Sequence, residues 1–485
     1  MKACFGKLSV RGAFQPVWPF GTDLYERILY LEQDGTEVLI CVFDFNGTFP
    51  SDTDLFRERV SAETGIPAGH IWYHELQIHA SPNDRAIHGD GIEHLIKQTV
   101  KETERLRKEA EDVTVTAADA DFGTECSFNR EQYVEGLGGV TVWSGMSYDD
   151  RNRPYTQDPD IMLLRGYRPD LPVFDRPIYF DNPNDPKAYL FVFRSRATGN
   201  VIGSVSRFAA HPDVAVLFEL KKEIPAEMRH REYHYDYDWP GYLSDGLEKT
   251  LGGTSLYVNG PCADLSSKKR WDGMDTYEAS AAECRRLADW FRTKLLDAYG
   301  KRAHDVDLSI PLKAATFTIE LPMKEDFPRS RKDLDGWEEQ VKADRQKKED
   351  AIAAGKPASE IKRLIDDEWR TMYFRHMVFE TGNFTEEQLT AHRIPVHPTA
   401  LQFGEYLFVG VPGESLVDIS LWLRSSFTGV KTIPLDQVNG YFNYLATPRS
   451  MTLGGYTYWC SWVAREAIPL LKEKLYPLLT EFLSD

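Results

Sequence analysis

The pattern of apolar and polar positions alternates between strand-like and helix-like segments along the chain. Residues 24–47 contain two apolar runs separated by Asp34 and Gly35, a dipeptide typical of hairpin turns. Residues 55–65, 91–111, 275–299 and 463–483 carry apolar residues at helical spacing, and Gly65 closes the first of these segments. Strands that alternate with helices predict an α/β fold, with a layered mixed β-sheet and flanking helices.

Charged residues dominate residues 328–375. Apolar positions recur there at helical spacing and are interrupted at residues 355–357, which predicts a charged helical hairpin that leaves the main fold as a solvated excursion or partner surface. The chain shows no internal repeat and no low-complexity linker. We therefore expect one domain over residues 1–485, with the hairpin as an insertion and as the surface through which an oligomer would form.

Composition and net charge argue against several classes of binding partner. The chain has 485 residues, 42% of them hydrophobic, and a net charge of −18, which argues against nucleic acid and against docking on anionic lipid. No run of 18 apolar residues predicts a membrane span, and no secretion signal is recognisable at the start. Six scattered cysteines without a CxxC pair favour reduced thiols. These features predict a soluble, cytoplasmic, acidic globular protein.

Polar side chains concentrate where the predicted strand of residues 70–82 ends. Period-two alternation puts Glu75, Gln77 and His79 on one face, just before Pro82. Strand ends of this kind are where α/β enzymes commonly place chemistry. An edge strand with solvated polar residues would give the same pattern, so this segment alone does not distinguish a functional site from a solvated strand.

Two further strand ends carry candidate ligands. His211 ends an apolar strand, where a histidine is more often a hydrogen-bonded core residue than a ligand. As a ligand it would need an acceptor for its other ring nitrogen, either Asp213 or a backbone carbonyl. Glu414 follows a strand and a Pro-Gly turn, and we expect a helix to begin at Glu414 or Ser415, where free N–H groups favour a carboxylate.

The last candidate segments are less distinctive. Tyrosines and glycines alternate over residues 439–458, which suits a pocket wall but also an ordinary tyrosine-rich loop. Ser266 lies in a polar turn where most serines are structural. From the residues alone, Arg130 is expected to be a surface arginine.

Together these segments resemble the neutral/alkaline ceramidase superfamily, in the order in which that family carries them. The matching segments are residues 64–82 (TGIPAGHIWYHELQIHASP), 129–130 (NR), 158–165 (DPDIMLLR), 208–212 (FAAHP), 263–267 (ADLSS), 412–414 (PGE) and 441–447 (YFNYLAT). The resemblance runs from about residue 10 to 460 and implies the ceramidase catalytic fold.

The resemblance implies a zinc site built from Gln77, His211, Glu414 and Tyr444. Gln77 stands where the family has a histidine, and it offers a neutral amide oxygen, whereas zinc prefers nitrogen, sulfur or carboxylate ligands. Three outcomes stay open: Glu75 or His79 replaces the missing ligand, the metal is held more weakly or is of a harder kind, or no metal binds.

The resemblance also implies a set of residues that act on the substrate: His79, Arg130, Ser266 and Tyr456. His79 corresponds to a general acid/base, Arg130 or Tyr456 to a group that steadies an oxyanion, and Ser266 to a proposed nucleophile or ligand-side hydroxyl. Ala263 and Ser267 depart from the family glycine and proline around Ser266. Thr457 stands where the family has a glutamate after Tyr456.

The resulting expectation is a zinc-dependent hydrolase that cleaves a linear amide of a soluble or small N-acyl compound with metal-activated water. One alternative is a protein that keeps the ceramidase fold, has lost hydrolysis and binds a ligand or partner. Another is a metal enzyme of different chemistry, such as an ester or glycosidic hydrolase or an isomerase.

Overall fold

The computed structural model describes residues 1–82, 87–134, 138–141, 147–148, 154–155, 183–220, 226–270, 273–375, 378 and 384–484. Its strands are β1 (Lys2–Ser9), β2 (Tyr25–Gln33), β3 (Thr36–Phe43), β4 (Ile71–Glu75), β5 (Glu111–Asp121), β6 (Ser127–Asn129), β7 (Glu131–Val134), β8 (Gly138–Thr141), β9 (Ser147–Tyr148), β10 (Pro154–Tyr155), β11 (Lys187–Ser195), β12 (Val201–Phe208), β13 (Thr254–Asn259), β14 (Leu265–Ser267), β15 (His304–Asp305), β16 (Lys313–Thr316), β17 (Ile319–Pro322), β18 (Arg393–Val396), β19 (Thr399–Phe403), β20 (Tyr406–Gly410), β21 (Glu414–Ser415), β22 (Lys431–Leu435) and β23 (Tyr444–Leu445).

The α-helices are α1 (Pro50–Thr64), α2 (Asp90–Glu109), α3 (Ala226–Glu232), α4 (Asp238–Leu251), α5 (Tyr277–Arg302), α6 (Trp337–Ala353), α7 (Ala358–Arg375), α8 (Glu386–Ala391), α9 (Val417–Ser426), α10 (Pro448–Leu453), α11 (Tyr456–Cys460) and α12 (Ala467–Ser484). Short 3-10 helices cover Arg11–Ala13, Ala68–His70, Leu217–Leu220 and Arg331–Leu334. In the part of the chain that the structure describes, no helix has the length and apolarity needed to cross a membrane.

A large mixed sheet forms the centre of the fold. Its order is β13-β12-β11-β5-β1-β2-β3-β4, and β15 adds to β5. β3 pairs with β4 in parallel and β12 with β13 in parallel, whereas the other neighbours along this path run antiparallel. The predicted hairpin of residues 24–47 is present as β2 and β3, so the α/β fold with a mixed sheet is confirmed.

A second sheet, of order β16-β19-β20-β22, lies between the large sheet and the C-terminal helix. Phe403 and Phe408 face Phe191 of the large sheet, at ring-centroid distances of 6.2 and 5.5 Å. The opposite face of β20 packs into an apolar cluster shared with α12, which contains Leu407 and Leu471. Burying both faces of β20 explains its continuous apolar sequence.

Several chain segments of the candidate site follow strands that end at one edge of the sheets. β4, β12 and β20 end a few residues before Gln77, His211 and Glu414, which sequence analysis assigned to the candidate site. Each of these three strands belongs to a parallel pair: β3–β4, β12–β13 and β20–β22. Loops at the carboxyl ends of parallel strands are the usual place for a binding site in an α/β sheet.

Two local predictions differ from the structure. No helix begins at Glu414 or Ser415: these residues pair as β21 with β23, and α9 begins at Val417, whose N–H donates to Asp264 Oδ1 at 2.8 Å. The strand of residues 70–82 ends at Glu75, and Gln77 takes a left-handed backbone conformation with φ of 61°. Strand alternation therefore does not continue through Gln77.

The charged segment 328–375 contains α6 and α7, which pack against each other. Glu368 accepts ion pairs from Arg345, at 2.9 Å, and from Lys348, at 2.5 Å. Trp337 Nε1 donates to the carbonyl of Thr371 at 2.6 Å. The division into one domain with this hairpin as an insertion stays a prediction, as does its role in an oligomer.

Substituting Asn for Asp185 should lower the free energy of unfolding by about 3–5 kcal/mol. The Asp185 carboxylate is fully buried and lies 2.8 Å from Arg207 Nη2, so its loss leaves a buried guanidinium without its counter-charge. Asp121→Asn is the matched control, because its pair with Lys187 is about half exposed and contributes at most about 1 kcal/mol. Urea unfolding of both variants checks this, and equal losses would contradict it.

Candidate functional site

The loop after β4 brings His79 to His211. Leu76 and Ile78 are buried, and their N–H groups donate to the carbonyls of Phe43 and Phe45 at 3.2 and 3.0 Å. The His79 N–H then donates to the carbonyl of Pro212 at 3.2 Å. These bonds attach the loop to two neighbouring segments and fix where the Gln77 and His79 side chains lie.

His79 and His211 form a direct imidazole pair, with 3.0 Å between their Nε2 atoms. His211 Nδ1 lies 3.3 Å from the carbonyl oxygen of Cys262 and must donate to it, because a carbonyl only accepts. Neutral His211 therefore accepts at Nε2, and His79 donates from Nε2, an assignment that follows from the hydrogen-bond network. The backbone carbonyl, and not Asp213, is the acceptor that a ligating His211 would use.

Both imidazoles are held in the neutral form. Burial lowers the pKa of His79 to about 4; Arg130 and Lys269 act in the same direction and Asp213 opposes them. Burial also lowers the pKa of His211 well below its ordinary value, and Arg130 adds to that effect. His211 is buried, whereas His79 keeps part of its surface open to solvent.

Glu414 and Tyr444 are neighbours because β21 and β23 pair in parallel, Glu414 opposite Tyr444. Tyr441 donates its hydroxyl to Glu414 Oε1 at 2.9 Å, while Oε2 has no hydrogen-bond partner within the described residues. Burial raises the pKa of Glu414, and the Arg130 charge with the nearby Tyr444, Tyr441 and Gln77 side chains opposes the rise.

Arg130 lies at the centre of the polar residues. Its Nη2 donates to the Tyr444 hydroxyl at 2.5 Å and its Nε to the carbonyl of Ala263 at 2.9 Å. Burial opposes the charge on Arg130, but Tyr444, Asp213, Tyr456 and Glu414 outweigh it and raise the pKa of Arg130. The ring of Tyr456 meets that of Tyr444 edge-on, with 5.2 Å between centroids.

The backbone of Ser266 forms a β-bridge with that of His211 and pairs with Phe128 of β6. Ser266 therefore lies near the histidine pair. Its Oγ is buried and has no hydrogen-bond partner among the residues that the structure describes. A serine nucleophile needs a base within hydrogen-bond reach, and none bonds to Ser266 Oγ among the described residues, so a nucleophilic Ser266 stays a prediction. The structure thus brings together His79, His211, Arg130, Glu414, Tyr444 and Tyr456, and places Gln77 and Ser266 beside them.

Sequence analysis missed Cys262. Its thiol donates to Gln77 Oε1 at 3.7 Å, accepts from Asn259 Nδ2 at 3.1 Å and lies 3.9 Å from His211 Nδ1. A lone cysteine in an apolar segment carries no local signal of such a position. The segment 158–165, which matched a ceramidase strand, lies outside the described residues.

The potential ligands at this site differ from those of a complete zinc site. Within the described ranges, no three His, Cys, Asp or Glu side chains are grouped so that they could hold a metal ion. The resemblance implies that the Tyr444 hydroxyl is a metal ligand. This hydroxyl accepts a hydrogen bond from the Arg130 guanidinium, whose positive charge opposes a metal cation. The residues present therefore do not fit a complete zinc site of the implied kind, and zinc binding stays a prediction.

A groove of about 590 Å³ lies next to the site, between the α6–α7 hairpin and α11. Trp369 and Trp459 line it and stack with 5.6 Å between ring centroids. Trp459 in turn meets Tyr456 edge-on at 4.5 Å, so a continuous line of aromatic rings joins the groove to Tyr444.

Replacing Ser266 by Ala should raise the free energy of unfolding by up to about 1 kcal/mol, since a buried hydroxyl without a partner destabilises the folded state. Ser420 is the matched control, because its Oγ donates to Asp185 Oδ2 at 2.7 Å. Ser420→Ala should lower the free energy of unfolding by about 1–3 kcal/mol. Denaturant titrations measure both, and a large loss in Ser266→Ala would reveal an interaction that this geometry lacks.

No protein-family profile matches the sequence, and no curated protein matches it significantly. Solved structures do match its fold. The neutral ceramidase from Pseudomonas aeruginosa superposes with a TM-score of 0.62 at 13% identity, over 98% of this chain and 73% of that one. A ceramidase complexed with C2 superposes with a TM-score of 0.62 at 12% identity, over 98% of this chain and 74% of that one. The chain therefore has the fold of the ceramidases, as its ordered motifs predicted.

Proposed function

We propose that this protein is a hydrolase that cleaves the linear amide bond of a small N-acyl compound. The observation that carries the proposal is the neutral His79–His211 pair, which opens to solvent beside the buried Arg130–Tyr444 contact. A proton acceptor and a fixed positive charge side by side are the two groups that amide hydrolysis needs. The ceramidase fold supports an amide as the substrate bond.

His79 is the general base in this proposal. Its Nε2–H is committed to His211, and its Nδ1 has no partner among the described residues. Nδ1 takes a proton from water while the water oxygen attacks the amide carbonyl carbon. Since the pKa of His79 is lowered to about 4, chiefly by burial, the lone pair is available at about pH 7.

The negative charge that develops on the carbonyl oxygen is stabilised by the Tyr444 hydroxyl and the Arg130 guanidinium behind it, with Tyr456 as a second phenol nearby. The imidazolium of His79 then gives its proton to the amine nitrogen as the C–N bond breaks. The products are a carboxylic acid and an amine. The aromatic groove next to Tyr456 offers space for the acyl part of the substrate.

A second candidate is a protein that binds an N-acyl ligand without hydrolysing it. Two observations favour it: Gln77 replaces a ligating histidine of the family, and the Ser266 hydroxyl has no base within reach in the described part of the chain. Metal-dependent chemistry on another bond, such as an ester or glycosidic bond or an isomerisation, stays an alternative. Analysis of products distinguishes these candidates.

Hydrolysis should depend on His79. In His79→Gln we expect kcat/KM on the best substrate of an N-acyl amide panel to fall by about 10²- to 10⁴-fold, because the general base is lost. His230→Gln is the matched control, since His230 is exposed and lies outside this site, and it should keep wild-type rates. Mass spectrometry of released acid and amine is the measurement. No product from any member of the panel, with saturable binding of one of them, would favour the second candidate.

Zinc dependence is tested separately from hydrolysis. We expect weak zinc binding in the wild-type protein, and Gln77→His should tighten it by more than about tenfold, because even an indirect partner of a metal ligand contributes that much. Gln15→His is the control, since Gln15 is exposed in an N-terminal loop. Competition with a chromogenic chelator gives the affinities, and elemental analysis gives the stoichiometry. One tightly held zinc per wild-type chain, lost in Glu414→Ala, would overturn the conclusion that the donor set is incomplete.

A further inference from the structure

A second cavity, of about 600 Å³, has a charge opposite to that of the chain as a whole. Its lining includes five side-chain cations: Lys324, Arg329, Arg370, Arg393 and Arg465. Three carboxylates line it as well: Glu325, Asp326 and Glu466. The complete chain has 57 lysines and arginines against 75 acidic residues, so this local excess of positive charge is contrary to the overall composition.

Lys324 forms the buried part of this basic pocket. It is 7% exposed, and its backbone N–H donates to the carbonyl of Trp462 at 2.8 Å, which fixes the residue in place. Its ammonium donates to the carbonyl of Tyr458 and lies 4.3 Å from the centre of that ring. Burial lowers the pKa of Lys324 to about 7, and Asp326 opposes this effect, although its carboxylate forms an ion pair with Arg370 and none with Lys324. A buried ammonium in this position lacks a full counter-charge.

The arginines at the mouth of the basic pocket are also largely without acidic partners. Arg329, Arg393 and Arg465 are exposed and form no ion pair with a carboxylate of the described residues, whereas Arg370 pairs with Asp326 at 2.9 Å. Some arginines elsewhere on the surface do pair, such as Arg107 with Glu37 at 2.6 Å, whereas others, such as Arg196, form no ion pair with a described carboxylate. The feature that distinguishes this pocket is that three guanidinium groups without an ion pair to a described carboxylate line the same cavity as one buried ammonium.

We propose that the basic pocket binds a compact dianion, a phosphoryl group that is either free or carried by a small metabolite. The ammonium of Lys324 supplies a point charge at the floor, and the guanidinium forks of Arg393 and Arg465 suit the oxygens of a tetrahedral oxyanion. The rim carboxylates repel an extended polyanion, which excludes nucleic acid and favours a group small enough to reach Lys324. This inference is independent of the amide hydrolysis proposed for the His79 site.

Calorimetric titration of the full-length protein at constant ionic strength tests the proposal, with inorganic phosphate and glycerol phosphate as probes and acetate as the monoanion. We expect saturable binding of the phosphoryl probes and none of acetate. Lys324→Met should weaken binding by about tenfold or more, since a charge-assisted hydrogen bond to a buried group is lost. Lys301→Met removes the same charge from an exposed helix end, where the side chain is 68% exposed, and should leave binding unchanged.

Arg465→Glu provides a second test that does not disturb a buried residue, and it should also weaken phosphate binding by about tenfold. Tighter binding of glycerol phosphate than of inorganic phosphate identifies a phosphorylated metabolite as the ligand, and equal binding identifies the free ion. The proposal is overturned if the wild-type protein shows no saturable phosphate binding, or if Lys324→Met and Arg465→Glu both bind phosphate as the wild type does.

Discussion

The buried guanidinium of Arg130 ties together the segments that form the candidate site. A buried cation costs several kcal/mol unless polar groups surround it, so the chain must supply partners from wherever they are available. The Ala263 carbonyl comes from the loop after β13, the Tyr444 hydroxyl from β23, and the Asp213 carboxylate, 4.0 Å from Nη1, from the loop after β12. Moving any one of these segments would leave charge without compensation.

The same charge acts together with burial, or against it, on the protonation of its neighbours. Asp213 is shared with Lys269, whose Nζ lies 2.5 Å from Oδ1, so two cations and one carboxylate lie beside the histidine pair. Burial and this excess of positive charge together keep His79 neutral. Burial raises the pKa of Glu414, and Arg130 limits that rise. One arginine thus favours a neutral base and an ionised carboxylate in adjacent positions.

The sequence predicted those parts of the fold that depend on the local spacing of apolar residues. The β2–β3 hairpin and the long helix α5 follow from apolar spacing alone, whereas the ordered motifs predicted which fold would result. The conformations of Gln77 and Glu414 were not predictable, because they depend on distant partners: Glu414 pairs with Tyr444, and Asp264 sets the start of the following helix. The absence of a hydrogen-bond partner for the Ser266 hydroxyl within the described residues was not predictable for the same reason, since the residues around it come from separate strands.

The hydrogen bonds that close the site have a consequence for synthesis of the chain. Asn439 accepts from the N–H of Tyr73, 366 positions earlier, and Arg130 reaches Tyr444 across 314 positions. At about 5–20 residues per second, a ribosome needs roughly 20–70 seconds to cover such a distance. During that interval the edge of β4 and the guanidinium of Arg130 have emerged without their final partners. The nascent protein therefore passes through a long-lived, incompletely paired state, in which its N-terminal half depends on solvent or chaperones to satisfy these groups.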